Sequence, residues 1–395
     1  MNIFKKFYNS LTGGCSSTSA TGATFNVPPE ENDPFLFPVE KYTHEKHQLI
    51  NGKMHLHWII PDFGIGSGGH FNIFRMIHWL EKFGHTNQIW IISGSKHGKP
   101  SSIKKVICNN FFEIQADVNI LRNPVGLELK GDGLICSSWD TCYWGRAIKF
   151  QGIRFYFVQD FEPSFFPIGT NHFLALHTYE FGYKCITNGQ WMAEKVESLG
   201  ATCVGWFQQA YDPNVFFDGD ERPPTSSTRF AVYVRSATER RLTGLIMYAL
   251  KILHRKGIPI EVELFGDNHL PYTLDFPCSN WGVLSPEELG KIYRTCDIGC
   301  ALSATNYSLI PFEMMASGLP VVEFDGENTR STYPENGVMY AKPTPEGIAD
   351  AFQTLIDNPE LRQKIRSTGM EYVKSISWEK SARSVERAFL QEISA

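Results

Sequence analysis

Short apolar runs alternate along the chain with longer stretches in which apolar residues recur every three or four positions. The first run, 55–61, has the pattern of a buried strand, and 72–83, after a glycine-rich turn, has the spacing of an amphipathic helix. Similar short runs predict further strands at 88–93, 133–137, 154–158 and 184–187. Strands separated by helices are typical of a mostly parallel sheet with helices on both faces.

A second series of the same kind follows 212–228, a segment rich in proline, serine and threonine that predicts a linker. This series predicts strands at 230–234, 260–265, 298–301 and 320–324, and helices at 242–256, 286–295, 312–317, 345–357, 359–375 and 378–393. We expect two α/β domains of similar size, with a ligand cleft between them.

The first 34 residues are expected to form a flexible leader. Residues 10–24 consist almost entirely of serine, threonine, glycine and alanine, a composition that cannot offset the entropy lost on ordering. Residues 1–9 combine aromatic residues with two lysines and no acid. Two interpretations stay open for them: a short helix that contacts a membrane surface, or the start of the flexible leader.

Composition excludes several classes of protein. The 395 residues carry a net charge of −5, with 42% hydrophobic and 20% charged residues, so the chain is neither disordered nor a basic nucleic-acid binder. Its apolar runs are far shorter than the ~18 residues of a membrane-spanning helix. The nine cysteines are odd in number and show no Cys-x-x-Cys spacing, which favours a reduced, cytoplasmic protein.

A glycine-rich loop, Asp62-Phe-Gly-Ile-Gly-Ser-Gly-Gly-His70, lies between the first predicted strand and helix. Such a loop allows close approach of the backbone, and amides at a helix start suit an anion. A tight turn that only packs strand on helix would have the same pattern. Gly64, Gly66 and Gly69 fit the spacing of a nicotinamide dinucleotide fingerprint, but the next strand ends at Ser93-Gly94 without its acidic residue.

A basic cluster, Val234-Arg235-Ser-Ala-Thr-Glu-Arg-Arg241, follows the first strand of the second domain. Strand ends of this kind point into the ligand crevice, and paired guanidinium groups bind a diphosphate well. The alternative is a solvated helix start. Positive charge is unfavourable at a helix N-terminus, and Glu239 alone cannot cancel three arginines, so we expect an anionic ligand.

The segment from Ser303 to Val322 predicts a loop, a helix that carries Glu313 in its first turn, a stop at Gly318 and a buried strand. The amides of 307–309 are candidates for holding phosphate oxygens, and Glu313 for accepting hydrogen bonds from a ribose diol. The helix dipole by itself also explains an acid at this position.

Together these pieces resemble the large retaining family of GT-B glycosyltransferases, over about residues 54–393. The resemblance rests on the six-residue spacing of Arg235 and Arg241, on Met315-Ala-Ser-Gly-Leu-Pro-Val-Val322, and on the closing Ser377-Trp378-Glu379. It implies two Rossmann-like doubly wound domains facing a central cleft. The N-terminal, acceptor-side domain would span 35–211 and be completed by 376–395, whose last helix crosses back to it, and the nucleotide-sugar domain would span 212–375.

A narrower similarity is to bacterial rhamnosyltransferases that use dTDP-β-L-rhamnose in surface glycan synthesis. It rests on Phe157-Val-Gln-Asp-Phe-Glu-Pro163, Trp281-Gly-Val-Leu-Ser-Pro-Glu-Glu-Leu289 and Tyr307-Ser-Leu-Ile-Pro-Phe-Glu-Met-Met-Ala-Ser-Gly318. For 159–162 a strand-end turn capped by its own carboxylates is the alternative. The resemblance implies catalytic roles for Gln159, Asp160, Arg235 and Arg241, and donor contacts from Gly68, Gly69, Arg235, Arg241, Gly282, Val283, Asn306, Tyr307, Ser308, Leu309 and Glu313.

The implied reaction transfers a sugar with retention of configuration and needs neither a metal nor another cofactor. The expected partners are a nucleotide-sugar donor, an oligosaccharide or lipid-linked glycan acceptor, and the inner membrane surface or other glycan-assembly enzymes as peripheral contacts. One departure from the family is Thr305, which stands eight residues before Glu313 where a first glutamate is usual. Thr305 marks either the rhamnosyl-like subgroup or a catalytically inactive glycan-binding or scaffold subunit. A third hypothesis is that the protein is a nicotinamide oxidoreductase that binds its cofactor with the glycine-rich loop.

Overall fold

The computed structural model describes residues 33–36, 46–219 and 226–394. Nearly all of the predicted leader, including 1–9, and the middle of the predicted linker therefore lie outside the described residues. No helix in the described part of the chain combines the length and apolar character needed to span a bilayer.

The first sheet contains seven strands, all parallel, in the order β3-β2-β1-β5-β7-β8-β9. Its strands are β1 (His55–Ile60), β2 (Thr86–Ile92), β3 (Asp117–Leu121), β5 (Gly133–Cys136), β7 (Ile153–Val158), β8 (Lys184–Asn188) and β9 (Thr202–Phe207). β4 (Glu128–Leu129) and β6 (Lys149–Phe150) form a separate parallel pair. The accompanying helices are α1 (Gly68–Lys82), α2 (Pro100–Asn110), α3 (Trp139–Ala147), α4 (Thr170–His177) and α5 (Gln190–Glu197).

The second sheet contains six parallel strands in the order β12-β11-β10-β13-β14-β15. They are β10 (Thr228–Tyr233), β11 (Ile260–Phe265), β12 (Cys278–Asn280), β13 (Ile298–Cys300), β14 (Val321–Phe324) and β15 (Met339–Ala341). The helices are α6 (Thr243–Arg255), α7 (Pro286–Thr295), α8 (Ile310–Ala316), α9 (Glu327–Arg330), α10 (Pro345–Asp357), α11 (Pro359–Lys374) and α12 (Trp378–Ile393). The predicted α/β class with parallel sheets is confirmed. The exact limits of the two domains stay a prediction.

Helix α12 crosses back and completes the core of the first sheet. The Ser377 hydroxyl caps its start by accepting from the Lys380 amide at 3.3 Å. Its apolar face is buried among residues of β1, β7 and α1. At Gly205 on β9 the helix approaches so closely that an added Cβ would lie 2.8 Å from the Ala388 Cβ. The predicted crossing of the last helix is therefore confirmed.

Loops at the carboxyl ends of both sheets lie against each other. The segments that follow β1, β7 and β8 meet those that follow β10 and β13, as the contacts described below show. Ligands of doubly wound proteins bind at this end of the strands. The fold therefore brings the three motifs of the sequence to one cleft.

Candidate functional site

Asn306 joins the two domains at the base of the cleft. Its buried side-chain amide donates to the main-chain oxygens of Gln159 at 3.0 Å and Asn188 at 3.1 Å. The side-chain amide of Asn188 donates to the same Gln159 main-chain oxygen at 3.2 Å, and the Tyr307 hydroxyl donates to Asn188 Oδ1 at 2.6 Å. These four hydrogen bonds fix the loop after β13 on the ends of β7 and β8.

Tyr307 packs tightly on the turn between β8 and α5. Gly189 has φ +90°, and a Cβ placed there would lie 2.6 Å from Tyr307 Cε1. Both the backbone conformation and the space require glycine at this position. The main-chain amide of Tyr307 donates to Asn306 Oδ1 at 2.9 Å, so of the three amides predicted to hold phosphate, this one is already engaged.

The glycine loop lies over Gln159. Asn72 Nδ2 donates to Gln159 Oε1 at 3.1 Å, and a Cβ added at Gly69 would lie 3.6 Å from Gln159 Nε2. A Cβ added at Gly68 would meet no atom within 4 Å. The predicted contacts Gly68, Gly69 and Gln159 are thus adjacent, with open space beside Gly68. Helix α1 begins at Gly68, four residues earlier than predicted.

His70 braces this loop as a neutral side chain. Burial lowers its pKa to about 4, against the opposing effect of its hydrogen bond to the Pro61 carbonyl. Its Nε2 donates to that carbonyl at 3.2 Å, which leaves Nδ1 to accept from the Ser67 hydroxyl at 2.9 Å. The loop is therefore held without a positive charge from this residue.

Gly282 and Val283 line the opposite rim. Gly282 has φ +66°, and the Val283 amide donates to Asn268 Oδ1 at 3.1 Å. Val283 is 62% exposed, and its Cγ1 would lie 4.0 Å from a Cβ at Gly66. A small apolar surface from the second domain thus comes within contact distance of the glycine loop of the first.

The basic cluster follows β10 and sends its guanidinium groups in different directions. Arg241 Nη1 donates to the Ser303 hydroxyl at 2.8 Å, within the second domain. Arg235 is exposed at the cleft, and its main-chain amide donates to Thr243 Oγ1 at 2.9 Å. Arg240 Nε instead lies 3.4 Å from Asp160 Oδ2 of the first domain.

Asp160 is engaged on both oxygens. Its Oδ1 accepts from the Phe161 amide at 2.8 Å, and its Oδ2 pairs with Arg240. The first of these bonds is the capped strand-end turn that the sequence left as an alternative. Glu162, two residues later, is buried away from the cleft and accepts from the Trp139 amide at 2.6 Å.

Three buried side-chain oxygens around the loop and helix α8 have no hydrogen-bond partner among the described residues. They are Thr305 Oγ1, Ser308 Oγ and Glu313 Oε2. Burial raises the pKa of Glu313 to about 8, an effect opposed by the charge of Arg75 on α1. Buried polar atoms without partners are unfavourable, so this cluster is suited to a polar ligand that supplies both donors and acceptors.

Leu309 stands apart from this cluster, because its partly buried side chain packs against the core of the first domain. The sequence did not indicate Asn72, Arg75, Asn188 or the separate direction of Arg240. Asn72 and Arg75 are two of several polar residues on α1, and Asn188 ends a short strand, so no spacing distinguished them. Within residues 33–36, 46–219 and 226–394, no group of three or more His, Cys, Asp or Glu side chains is arranged to hold a metal ion.

Comparison with solved structures settles the architecture. The chain superimposes on sucrose-phosphate synthase from Thermosynechococcus elongatus with a TM-score of 0.63 at 11% identity, covering 86% of this chain and 99% of that one. HepE from Anabaena in complex with UDP-glucose gives a TM-score of 0.64 at 12% identity, covering 86% of this chain and 98% of that one. The chain has the GT-B fold.

The sequence of the chain also matches a protein family and a relative. Residues 228–353 match the family described as WsaF, C-terminal domain. The O-antigen biosynthesis protein RfbC of Myxococcus xanthus is 31% identical over 342 residues, which are 84% of this chain but 27% of that protein. The chain thus spans about a quarter of the length of this relative.

Proposed function

We propose that this GT-B chain is a glycosyltransferase that moves a sugar from a nucleoside diphosphate to a hydroxyl of a growing cell-surface glycan. Support comes from the fold, from the WsaF-type match over the second domain, and from the similarity to a protein of O-antigen biosynthesis. The observation that carries the proposal is the group of unpaired oxygens on Thr305, Ser308 and Glu313, on the loop and helix that follow β13. The same loop is hydrogen bonded to Arg240 and Arg241 after β10.

The second domain is the proposed donor side. A leaving diphosphate gains negative charge in an oxocarbenium-like transition state, and preorganised cations stabilise that charge best in a site that excludes water. Arg235 and Arg241 supply the cations, and Ser308 supplies a hydroxyl. Glu313 would accept from a ribose diol with both carboxylate oxygens, which requires its ionised form. No step in this scheme uses a metal ion.

The proposed donor is dTDP-β-L-rhamnose, and the proposed outcome at the anomeric carbon is retention. The donor rests on the resemblance of 157–163, 281–289 and 307–318 to rhamnosyltransferases and on Thr305 in place of the first glutamate. Retention rests on the resemblance to the large retaining family of GT-B glycosyltransferases. In this scheme Gln159 and Asp160 orient the sugar from the first domain. The acceptor is an oligosaccharide or lipid-linked glycan, met at the inner face of the membrane.

A donor panel tests this function. Purified protein, in a buffer that contains a chelator, is mixed with dTDP-rhamnose, UDP-glucose, GDP-mannose or NAD. The unfolding temperature and the heat of binding are then measured. We expect stabilisation by one nucleotide sugar, loss of that binding in Glu313→Ala, and retention of it in Glu371→Ala, which changes an exposed carboxylate on α11. Binding of NAD alone would contradict the proposal.

A non-catalytic scaffold is the second candidate, favoured by one observation. Thr305 is buried where the wider family carries a glutamate, and its hydroxyl contacts no hydrogen-bond partner in the described residues. A scaffold would bind glycan but release no nucleoside diphosphate from any donor. Measuring release of diphosphate in the same panel separates the two functions.

A further inference from the structure

Arg240 is the one arginine of the cluster after β10 that reaches the first domain in the described structure. Its Nε lies 3.4 Å from Asp160 Oδ2, an ion-pair contact without hydrogen-bond geometry. Its guanidinium carbon lies 4.0 Å from the centroid of the Phe165 ring. One side chain therefore contacts both ends of the turn that carries Asp160.

The backbone of Arg240 is fixed independently of its side chain. Its carbonyl accepts from the Ala304 amide at 3.0 Å, and Ala304 precedes Thr305 in the loop with the unpaired oxygens. The next residue, Arg241, is held on Ser303 of the same loop. A displacement of this loop would thus be transmitted to Asp160 through the Arg240 side chain.

Arg240 is also sensitive to negative charge bound near it. Burial lowers its pKa, Asp160 opposes that change, and the neighbouring Arg241 and Arg235 lower the pKa further. An anion held by Arg241 and Arg235 would offset their repulsion of Arg240 and so raise the pKa of Arg240 back towards its ordinary value.

We propose that Arg240 is a positioning residue for sugar transfer: it holds Asp160 and the 160–165 turn of the first domain against the donor loop of the second. This inference rests on the proposed function. It assigns Arg240 to the contact between the domains and not to the diphosphate, because its guanidinium is occupied by Asp160 and the Phe165 ring.

The test compares Arg240→Met, Arg240→Lys, Asp160→Asn and the double variant Arg240→Met/Asp160→Asn. The matched control is Arg330→Met, because Arg330 has the same kinds of contact, an ion pair with Asp325 at 2.5 Å and the Tyr340 ring at 4.4 Å, both within the second domain. The donor is the nucleotide sugar that stabilises the unaltered chain. Turnover is measured as the release of nucleoside diphosphate from this donor, and the Kd of the donor is measured by calorimetry.

We expect Arg240→Met to lower turnover by about tenfold or more while the donor Kd changes by less than about threefold. Arg240→Lys should recover part of the turnover. The double variant should lose no more than the worse single variant, because Arg240 acts through Asp160. Arg330→Met should match the unaltered chain in both measurements.

Unchanged turnover in Arg240→Met would overturn the proposal, as would multiplied losses in the double variant. A large rise in Kd with turnover intact would assign Arg240 to the donor instead. If the unaltered chain releases no diphosphate from any donor, the proposed function fails and the positioning role fails with it. The contact is tested separately by a double-mutant cycle in thermal unfolding without donor, where strictly additive effects of the two changes would overturn the positioning role alone.

Discussion

Arg75 of the first domain, which is partly buried, and Glu313 of the second, which is buried, are ionisable groups that act on each other through space. The Arg75 guanidinium lies 4.0 Å from the centroid of the Trp378 ring on the crossing helix. Burial lowers its pKa to about 10, opposed by Glu313 and Asp212. Since Arg75 in turn opposes the rise in the pKa of Glu313, the ionisation of Glu313 depends on the position of a helix in the other domain.

The first prediction concerns the pH dependence of stability in Glu313→Gln. The folded pKa of about 8 exceeds the ordinary value of 4.5, so between those pH values the folded protein holds a proton that the unfolded chain has released. This stabilising contribution is present in full below about pH 4.5 and is lost as pH rises through about 8. Glutamine does not titrate, so it has no such loss. The free energy of unfolding of the variant, relative to that of the unaltered chain, should therefore rise with pH, by about 1 to 3 kcal/mol at pH 8.5.

Urea unfolding at about pH 5 and pH 8.5 measures this difference. Subtracting the unaltered chain cancels the similar contributions of Glu162 and Glu323, whose pKa values burial also raises to about 8. Glu371→Gln, an exposed change on α11, is the control and should show no dependence on pH. A Glu313→Gln variant that differs from the unaltered chain equally at both pH values would contradict the prediction.

The second prediction concerns Gly189→Ala. Gly189 and Gly200 both have positive φ, at +90° and +89°, but only at Gly189 does an added Cβ meet Tyr307, at 2.6 Å, whereas at Gly200 nothing lies within 4 Å. Gly200→Ala should therefore cost about 1 kcal/mol of backbone strain. Gly189→Ala should cost about 2 to 4 kcal/mol, because Tyr307 must also move. Equal losses in the free energy of unfolding for the two variants, measured by chemical denaturation, would contradict the prediction, because Tyr307 would then move without cost.

The third prediction concerns the inter-domain bonds of Asn306. Asn306→Ala removes the donor to the buried Asn188 carbonyl oxygen and to the partly buried Gln159 carbonyl oxygen, which keeps its bond from the Asn188 side chain. This change should lower the free energy of unfolding by about 2 to 4 kcal/mol. Asn110→Ala is a matched control, since its amide donates to a main-chain carbonyl at 2.9 Å on an exposed helix. Its loss should stay below about 1 kcal/mol. Two similar values would mean that the buried bonds contribute no more than a surface bond.

The fourth prediction concerns the two arginines of the proposed diphosphate site. Arg235→Ala should leave the unfolding temperature unchanged, because Arg235 is exposed, yet weaken donor binding by about 1 to 3 kcal/mol. Arg241→Met should weaken binding to a similar extent and also lower stability, because it removes the bond to Ser303. Calorimetry with the stabilising nucleotide sugar measures both. Unchanged affinity in the two variants would place the donor elsewhere.

Strand and helix patterns in the sequence predicted most of the central elements, since buried parallel strands are continuous apolar runs. The edge strands of both sheets, β3, β9, β12 and β15, were missed. Asp117 and Asn119 interrupt the apolar pattern of β3, and β9 is half exposed, so neither has the signal of a buried strand. The start of α1 was misplaced because Gly68 and Gly69 resemble loop residues, although both lie in its first turn.

Motif spacing brought Gln159, Asn306 and Tyr307 into one prediction, and the structure places them in contact through Asn188. The spacing could not indicate Asn188 or Arg75, because Arg75 is one of several polar residues on α1 and Asn188 ends a short strand, and each obtains its partners only through tertiary packing. Nor could it separate Arg240 from Arg241. Successive residues in a short turn point in different directions, and that depends on which loops surround them.

Helix α12 has a consequence for how the chain acquires its structure during synthesis. The first sheet is built from residues 55–207, yet part of its apolar core is supplied by Trp378, Val385 and Phe389. A ribosome releases these residues only after the entire second domain has emerged, and domains otherwise fold in order from the N-terminus. The nascent first domain would therefore expose the apolar residues of β1, β7 and α1 that the last helix covers throughout that interval.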